Sequence, residues 1–308
     1  MKQRLGLGII PGTGWNADEI LAVAREAEDA GFDAIFSAEV NNDAMATAQL
    51  MGSATSRVLV GTWVANIYLR HPYVCAQGAG LIADATGGRF VLGLGVSHQP
   101  VNQALNVEMN SQLNVMRDYL KTVQMFLAGG GPATHLPQRP ATHRVPIYAA
   151  ALTSGAVEVA GELCDGMMPF LWPASRITRS KVWWDRGRAR SARQDRFDVT
   201  LGLPTFLGDD LPSLRDAARQ NLGLYTTLPF FQRLFRASGF EAEAAEMEKG
   251  AGGAALTERL LDAICLIGPA ARCHEQLAEF RAAGVDLPIL SPPIGVEGAR
   301  RVIKAFRR

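Results

Sequence analysis

Short apolar runs alternate along this chain with longer segments whose apolar residues recur at helical spacing. Arg4–Ile10 begins the pattern as a predicted strand. Asn16 then has the position of a helix N-cap, and Glu19, three residues on, can return the hydrogen bond. The predicted helix ends at Gly31 and shows its period in four apolar residues, Ile20, Val23, Ala24 and Ala27.

The same alternation predicts further strand and helix pairs along the chain. The strands are predicted over Ala34–Ser37, Val58–Ala65, Phe90–Leu94, Ile147–Ala150, Gly166–Met168, Val199–Phe206 and Leu287–Leu290. The helices are predicted over Asp43–Ala54, from Pro72, over Gln112–Ala128, from near Ser154, from Pro269 to Ala283 and over Val296–Arg307.

Two segments interrupt this alternation. Gly129–Val145 is rich in Gly, Pro and His without a helical period, and we expect it to pass over the barrel mouth or rim. Leu211–Leu266 contains helical stretches and is longer than an ordinary connection. We therefore predict that Leu211–Leu266 is an insertion that covers the site or an interface.

Eight strands, each followed by a helix, in a chain of 308 residues favour an α/β fold, a (β/α)8 TIM barrel with insertions. A doubly wound open sheet is the rival, and the absence of G-x-G-x-x-G after the first strand weakens it. The similar junctions Ala30–Asp33 and Ala283–Asp286 suggest a repeated unit. We expect one domain over residues 1–308.

Composition and charge exclude several classes of function. Apolar residues make up 48% of the chain, enough for a large core, and the net charge of +1 indicates no nucleic-acid partner. No apolar run approaches the length of about 20 residues that a membrane span needs. The start of the chain, MKQRLGLGII, fits a strand better than a signal peptide.

Cysteine and histidine usage indicates a reducing compartment and no metal. The four cysteines form no C-x-x-C pair, so we expect free, mostly buried thiols and a cytoplasmic location. The five histidines form no H-E-x-x-H motif, and we infer no metal site.

In a parallel barrel the strand carboxyl ends form one mouth, where helix amino termini also point. The residues expected there are Ile10, Glu39–Asn42, Val64–Ile67, Ser97, His98, Ala151–Gly155, Phe170 and Ser291. This set contains no acid–base–nucleophile trio, and Gly93–Ser97 is not the G-x-S-x-G elbow. A flat, glycine-lined cleft of this kind fits a cofactor that brings its own reactivity.

Several motifs together resemble the bacterial-luciferase-like superfamily, most closely its members that use the deazaflavin F420. The motifs are Gly61-Thr62-x-Val64-x-Asn66, then Arg70-His71-Pro72, then Gly88-Arg89-Phe90 leading into Leu92–Ser97. Val145–Gly166 and Ile267–Pro288 extend the resemblance over the whole chain. It implies a luciferase-like TIM barrel and a flavin or deazaflavin cofactor.

The resemblance also implies which residues bind that cofactor. A bulge on the third strand, with a non-prolyl cis peptide at Trp63–Val64, would back the middle ring, next to Ala65. Asn66 would meet the pyrimidine-like edge. The phosphate would lie at the helix start formed by Leu152, Thr153, Ser154 and Gly155, near Ser97 and His98. Apart from the resemblance, a plain buried strand with Trp63 in the core and an ordinary helix cap at Ser154 explain the same residues.

The end of the second strand departs from the family pattern. Many relatives have Asp-His there, whereas this chain has Glu39-Val40-Asn41-Asn42. Glu39 is the candidate catalytic acid, or else a structural carboxylate that accepts from backbone N–H groups. We take Asn41 as a second catalytic candidate and Asn42 as cofactor-binding. We expect Arg70 to pair with a neighbouring carboxylate.

The leading functional hypothesis is an F420-dependent oxidoreductase that transfers a hydride between cofactor C5 and a small organic substrate. One alternative is an FMN-dependent monooxygenase that uses oxygen and a partner flavin reductase. Another is a non-catalytic flavin-binding protein. The resemblance further implies a homodimer, and the identity of the substrate stays open.

Overall fold

The computed structural model describes residues 3–132, 138–191 and 193–308. Its strands are β1 Gly6–Ile9, β2 Ala34–Ser37, β3 Leu59–Thr62, β4 Ala65–Asn66, β5 Phe90–Gly95, β6 Ile147–Ala149, β7 Gly166–Met167, β8 Asp198–Leu207, β9 Leu266–Gly268 and β10 Leu287–Ser291. The first nine helices are α1 Ala17–Asp29, α2 Ala44–Ala54, α3 Pro72–Ala85, α4 Gln99–Ala104, α5 Gln112–Leu127, α6 Ser154–Leu163, α7 Ala174–Ser191, α8 Leu211–Thr226 and α9 Pro229–Arg236. They are followed by α10 Glu241–Glu248, α11 Glu258–Ile264, α12 Ala270–Ala282 and α13 Val296–Ala305.

The strands close into a parallel barrel. Neighbours pair in the order β10, β1, β2, β3, β5, β6, β7 and β8, and β10 also pairs with β8, which completes the ring. The short β4 continues the position of β3 and pairs with β5. The predicted (β/α)8 TIM barrel is therefore confirmed, because eight strand positions, each followed by a helix, form a closed parallel sheet.

Local sequence signals explain where several helices begin. Asn16 and Glu19 form a reciprocal capping box at the start of α1, as the sequence predicts. The side chain of Thr153 accepts a hydrogen bond from the Ala156 N–H at the start of α6. Pro269 differs from the prediction, since it is the N-cap of α12 and lies outside the helix.

Two apolar layers hold the barrel. The larger layer packs the outer face of the sheet against the helices. The smaller one fills the barrel interior with Ala34, Phe36, Val91, Tyr148, Met168, Leu287 and Ile289. Below it, Asp198 accepts hydrogen bonds from Arg4 and from the Tyr148 hydroxyl, where β8 begins. The amino-terminal end of the barrel is thus closed by side chains.

The placement predicted for Gly129–Val145 is wrong as far as the structure describes that segment, which excludes residues 133–137. His143 pairs with Asp84 near the end of α3, and Arg144 pairs with Asp165 immediately before β7. These partners lie at the amino-terminal end of the barrel, because α3 runs back from the mouth to Asp84 and because Asp165 directly precedes β7. The segment therefore lies on the side away from the mouth.

Three other elements differ from the sequence prediction. The strand expected over Val58–Ala65 is broken into β3 and β4. The helix α4 was not predicted, and neither was β9, which extends the sheet by pairing with the far end of β8 at Thr205–Leu207. All four cysteines are free and buried, as expected. In the part of the chain described, no helix has the length and apolarity to cross a membrane.

Candidate active site

A bulge in the third barrel strand shapes the mouth. Gly61 pairs with Val91 and Ala65 pairs with Leu94, so three residues, Thr62 to Val64, stand opposite two on β5. The Trp63–Val64 peptide bond is cis, which confirms the expectation from the family resemblance. Glycines on β5 make room for this bulge. A methyl group at Gly93 would lie 2.1 Å from the Thr62 carbonyl oxygen, and one at Gly95 would lie 2.4 Å from Val64 Cγ2.

The indole of Trp63 lies across the barrel below the mouth. It contacts Gly8 on β1 and Gly202 on β8 so closely that a methyl group at Gly202 would lie 2.2 Å from Trp63 Cζ2. Its edge meets Phe170 with ring centroids 5.5 Å apart. Trp63 and Val64 are only half-buried, whereas Gly61 and Ala65 near them are buried. This indole forms a floor that is open from above.

Glu39 and Arg70 form an ion pair at the mouth. Arg70 donates to both carboxylate oxygens of Glu39, at 2.7 and 2.5 Å, and also contacts Asp43 at 2.7 Å. The Asn66 and Ala44 N–H groups donate to the same carboxylate. Burial alone would lower the pKa of Arg70, but the hydrogen bonds and charges of Glu39 and Asp43 raise it. The structural alternative for Glu39 is therefore favoured, and Arg70 has the carboxylate partner that was expected.

The amides predicted to face a ligand form bonds within the protein. Asn42 donates to Ser37 and Thr47, and its carbonyl accepts from the Val40 N–H. Asn66 is buried; it donates to the Asn102 carbonyl at 2.7 Å and accepts from the Tyr68 N–H. Asn102 in turn donates to the Val96 carbonyl. Asn102 was missed by the sequence analysis because the unpredicted α4 carries it, and it ties the bulge to the loop after β5.

Three residues with left-handed backbone follow strands at the mouth. Asn41 follows β2, Ser97 follows β5 and Leu171 follows β7, with φ of 53°, 58° and 54°. Such conformations cost energy for non-glycine residues and concentrate at functional sites. Asn41 is exposed and Ser97 is half-buried, so both candidates remain accessible at the loop surface.

The start of α6 combines free donors with a buried cation. Within the described residues, the Ser154 and Gly155 N–H groups have no hydrogen-bond acceptor. Arg176, from the first turn of α7, donates to the Leu152 carbonyl at 3.1 Å just before this helix. It is 7% exposed, its Nε has no hydrogen-bond partner in the ranges that the structure describes, and its guanidinium stacks on Trp172 and Trp183. Burial, followed by the charge of Arg179, lowers the pKa of Arg176 to about 10, so it is cationic at neutral pH.

Aromatic residues from the insertion contact the barrel mouth. Tyr225, at the end of α8, meets Phe170 at 5.2 Å and His98 at 5.8 Å between ring centroids. Phe231 of α9 contacts both Tyr225 and His98. Part of Leu211–Leu266, α8 and α9, thus packs on the barrel mouth, which agrees with the prediction that this segment is a cover. Tyr225, Phe231 and Arg176 belong to no recognisable motif and were therefore not predicted from the sequence.

The arrangement provides an open aromatic floor, a helix end with free N–H groups and a buried guanidinium. A flat ring with an anionic tail fits these features, because anions bind at helix amino termini and near unpaired arginine. Among the mouth residues described, none forms a nucleophile–base pair of the kind that hydrolases use. The chemistry of this site is thus suited to a bound cofactor.

Fold and mouth together define a class, the (β/α)8-barrel enzymes that work with a bound cofactor. The sequence model of the family described as luciferase-like monooxygenase matches residues 5–287, and the chain belongs to this family. Its relatives in sequence include proteins named as an oxidoreductase and as a reductase, and the chain is an oxidoreductase of the luciferase-like type.

Individual comparisons extend over nearly the full chain. A Mycobacterium tuberculosis protein provisionally named a coenzyme F420-dependent oxidoreductase is 28% identical, over 90% of each sequence. The F420-dependent tetrahydromethanopterin reductase of Methanopyrus kandleri superposes with a TM-score of 0.80 at 17% identity, covering 100% of this chain and 98% of that one. The EDTA monooxygenase of a Chelativorans species gives a TM-score of 0.75 at 11% identity, covering 99% and 94%.

Proposed function

We propose that the chain is an F420-dependent oxidoreductase that exchanges a hydride with a small organic substrate. The observation that carries the proposal is Arg176, a buried guanidinium that has no carboxylate partner among the described residues and lies beside the free N–H groups of α6. The tail of F420 contains a phosphate, and this group matches those donors. The name of the Mycobacterium tuberculosis relative supports F420 in preference to FMN.

When bound, F420 supplies the hydride chemistry at its C5 atom. We assign to the chain the tasks of holding and shielding that ring. Trp63, Val64 and Ala65 would back the ring, and Ser97 and His98 would lie near the phosphate. Leu152–Gly155 would hold the phosphate together with Arg176. Asn42 and Asn66 would act indirectly, because their side chains fix the loop after β2 and the bulge.

Two titrations test this proposal and its main alternative. F420 and FMN are each added to the protein while tryptophan fluorescence is followed, with Trp63→Phe as the control for the origin of the signal. The reduced complexes are then assayed with and without oxygen. Tight F420 binding without oxygen consumption is the expected result. Tight FMN binding with oxygen consumption would replace the proposal by an FMN-dependent monooxygenase, which a separate reductase would supply.

We further propose that the protein acts as a homodimer joined through α3. Val74 and Leu81 are 61% and 63% exposed on that helix. They lie seven residues apart and therefore on one face. Apolar side chains on one exposed helix face are typical of surfaces that a second chain covers.

A further inference from the structure

A row of aromatic rings leads from the barrel floor to the insertion. Trp63 meets Phe170 at 5.5 Å, and Phe170 meets Tyr225 at 5.2 Å between centroids. Tyr225 then contacts His98 at 5.8 Å and Phe231 at 5.0 Å. These five residues, the aromatic wall, come from four segments of the chain, since Tyr225 and Phe231 both belong to the insertion. Folding alone brings them together at the mouth.

The aromatic wall is uncharged at neutral pH. Burial lowers the pKa of His98, with no charged group contributing, so its imidazole is neutral. Burial also raises the pKa of Tyr225 to about 12, so its hydroxyl keeps its proton. Nearby, Arg70 is paired with both Glu39 and Asp43, so its positive charge is already compensated. A charged group placed directly against these rings would lose water, and the rings carry no charge to compensate it.

His98 and Tyr225 carry polar atoms without a hydrogen-bond partner in the part of the chain that the structure describes. Within residues 3–132, 138–191 and 193–308, neither ring nitrogen of His98 nor the hydroxyl of Tyr225 forms a hydrogen bond. A phenol and a neutral imidazole each offer one hydrogen-bond donor. Groups of this kind, in an aromatic setting, bind an oxygen acceptor on an otherwise apolar molecule.

The entrance to the mouth is apolar as well. Segments that follow the strand ends, and the ends of α8 and α9, expose Val40, Leu69, Val101, Leu105, Leu224 and Phe230. Exposed apolar side chains concentrated on the segments around one opening are typical of a ligand or partner surface. They favour entry of a molecule that is poorly solvated by water.

We propose that the substrate is an uncharged ketone or aldehyde with an apolar body about the size of one ring, whose carbonyl oxygen accepts hydrogen bonds from Tyr225 and His98. This inference rests on the proposed function for its reaction, but the binding site it names belongs to the chain itself. Phe170 and Phe231 contact the apolar body, and Tyr225 and His98 are positioning residues for the oxygen.

Binding of three matched probes tests the inference by calorimetry, with and without F420. Acetophenone has a ring and a carbonyl oxygen, ethylbenzene lacks the oxygen, and benzoate carries a charge. We expect acetophenone to bind at least about tenfold more tightly than either of the others, given the cost of an unpaired polar group or buried charge. Equal affinity for acetophenone and benzoate would overturn the proposal.

Variants then assign the oxygen contact. Tyr225→Phe removes only the hydroxyl. It should lower the affinity for acetophenone about three- to tenfold and leave the affinity for ethylbenzene unchanged. Tyr225→Phe combined with His98→Phe should bind the two probes equally. Tyr73→Phe, a tyrosine that packs on Phe126 outside the aromatic wall, is the matched control and should change neither affinity. Unchanged acetophenone affinity in the double variant would contradict the assignment.

The outcomes separate this inference from the cofactor proposal. Acetophenone selectivity that depends on Tyr225, in a protein that binds no F420, would support the substrate inference and end the F420 proposal. F420 binding without any selectivity among the probes would end the substrate inference and leave the F420 proposal standing.

Discussion

At the scale of single residues, the pair formed by Glu39 and Arg70 holds two mouth segments in register. The carboxylate side chain is 8% exposed and accepts from Arg70 and from the backbone of β4 and α2. A buried ion pair contributes little over an apolar pair, but removing one partner leaves the other charge buried without compensation. The stability of the mouth therefore depends on keeping both residues.

Arg70→Met should lower the free energy of unfolding by about 3 kcal/mol, because Glu39 then stays buried without its cation. Combining it with Glu39→Gln should recover part of that loss. Urea unfolding of the two single variants and the double variant measures both effects.

Glu39→Gln should also leave the shape of the pH–rate profile unchanged, because Glu39 is assigned a structural role. If the profile of this variant instead lost one of its two pH-dependent limbs, proton transfer would be assigned to Glu39.

Arg176 is the second residue whose substitution is informative. Arg176→Met keeps an unbranched side chain against Trp172 and Trp183 but removes the charge. We expect F420 to bind about tenfold more weakly or worse, since hydrogen bonds to charged groups contribute about 1.5–3 kcal/mol. The exposed Arg179, three residues on, provides the control Arg179→Met. Similar affinities in fluorescence titrations of both variants would exclude Arg176 from the cofactor site.

At the scale of elements, the strand glycines explain why the motif on β5 has its spacing. Gly93 and Gly95 face the bulge between β3 and β4, where no side chain fits. Gly61 has the same role on β3, since a methyl group there would lie 2.4 Å from the Val91 carbonyl oxygen. Glycine is common where two backbones approach closely. The spacing of these glycines thus follows from the close packing of the strands at the mouth.

Gly93→Ala should destabilise the barrel by about 3 kcal/mol, because the added methyl group meets the Thr62 carbonyl and the strands must separate. Gly80→Ala is the matched control. It lies within α3, where the new methyl group would have an ordinary 3.6 Å contact with Ala141. That control should be neutral or stabilising by about 0.5–1 kcal/mol. Thermal and urea unfolding compare the two, and equal stability would contradict the packing argument.

A carboxylate at the end of α1 fixes the turn into β3. Glu28 accepts hydrogen bonds from the N–H groups of Ser56, Arg57 and Val58. Burial would raise the pKa of Glu28, but these bonds lower it below its ordinary value. A lowered folded-state pKa stabilises the protein above the unfolded pKa of about 4.3, and this contribution disappears as pH falls through the folded pKa.

Glu28→Gln should therefore cost about 2 kcal/mol at pH 7, and the difference from wild type should shrink below about pH 4. Urea unfolding over pH 3 to 7 measures this difference. The exposed Glu279 gives the control Glu279→Gln, which should match wild type throughout. A loss of stability in Glu28→Gln that does not change with pH would show that the charge is not its cause.

At the scale of the whole molecule, the two ends of the barrel differ in construction. Asp198, Arg4 and Tyr148 close the amino-terminal end with hydrogen bonds. At the carboxyl-terminal end, the space above Trp63 is open. Residues of α8 and α9 form one side of this opening. Helix amino termini also point to that end, which favours anions there and not at the other.

The proposed homodimer is tested at this scale. Light scattering after size-exclusion chromatography should give twice the mass of one chain for the wild type. Leu81→Glu should give one chain, because a charge in an apolar interface is costly. Val182→Glu changes a similarly exposed residue on α7 and should stay dimeric. A monomeric wild type would refute the dimer, and a dimeric Leu81→Glu would place the interface elsewhere.

Sequence periodicity predicted the barrel strands and most helices because those signals are local. Strand ends such as Ala34–Ser37 and caps such as Asn16 depend only on neighbouring residues, and they agree with the structure. The cis bond at Trp63–Val64 was expected through the family motif and not from the residues alone. The course of Gly129–Val145 was predicted wrongly, since composition says nothing about which end of a barrel a loop crosses.

What the sequence determined by itself was the order of strands and helices and the set of residues at the strand ends, because hydrophobic period and capping act within a few residues. Only the tertiary structure decided that Glu39 pairs with Arg70, that Asn66 is bonded to Asn102, and that Tyr225 joins His98. These partners are between 31 and 127 residues apart in the chain. Their contacts exist because barrel closure brings distant strand ends to one mouth, and no local pattern encodes that closure.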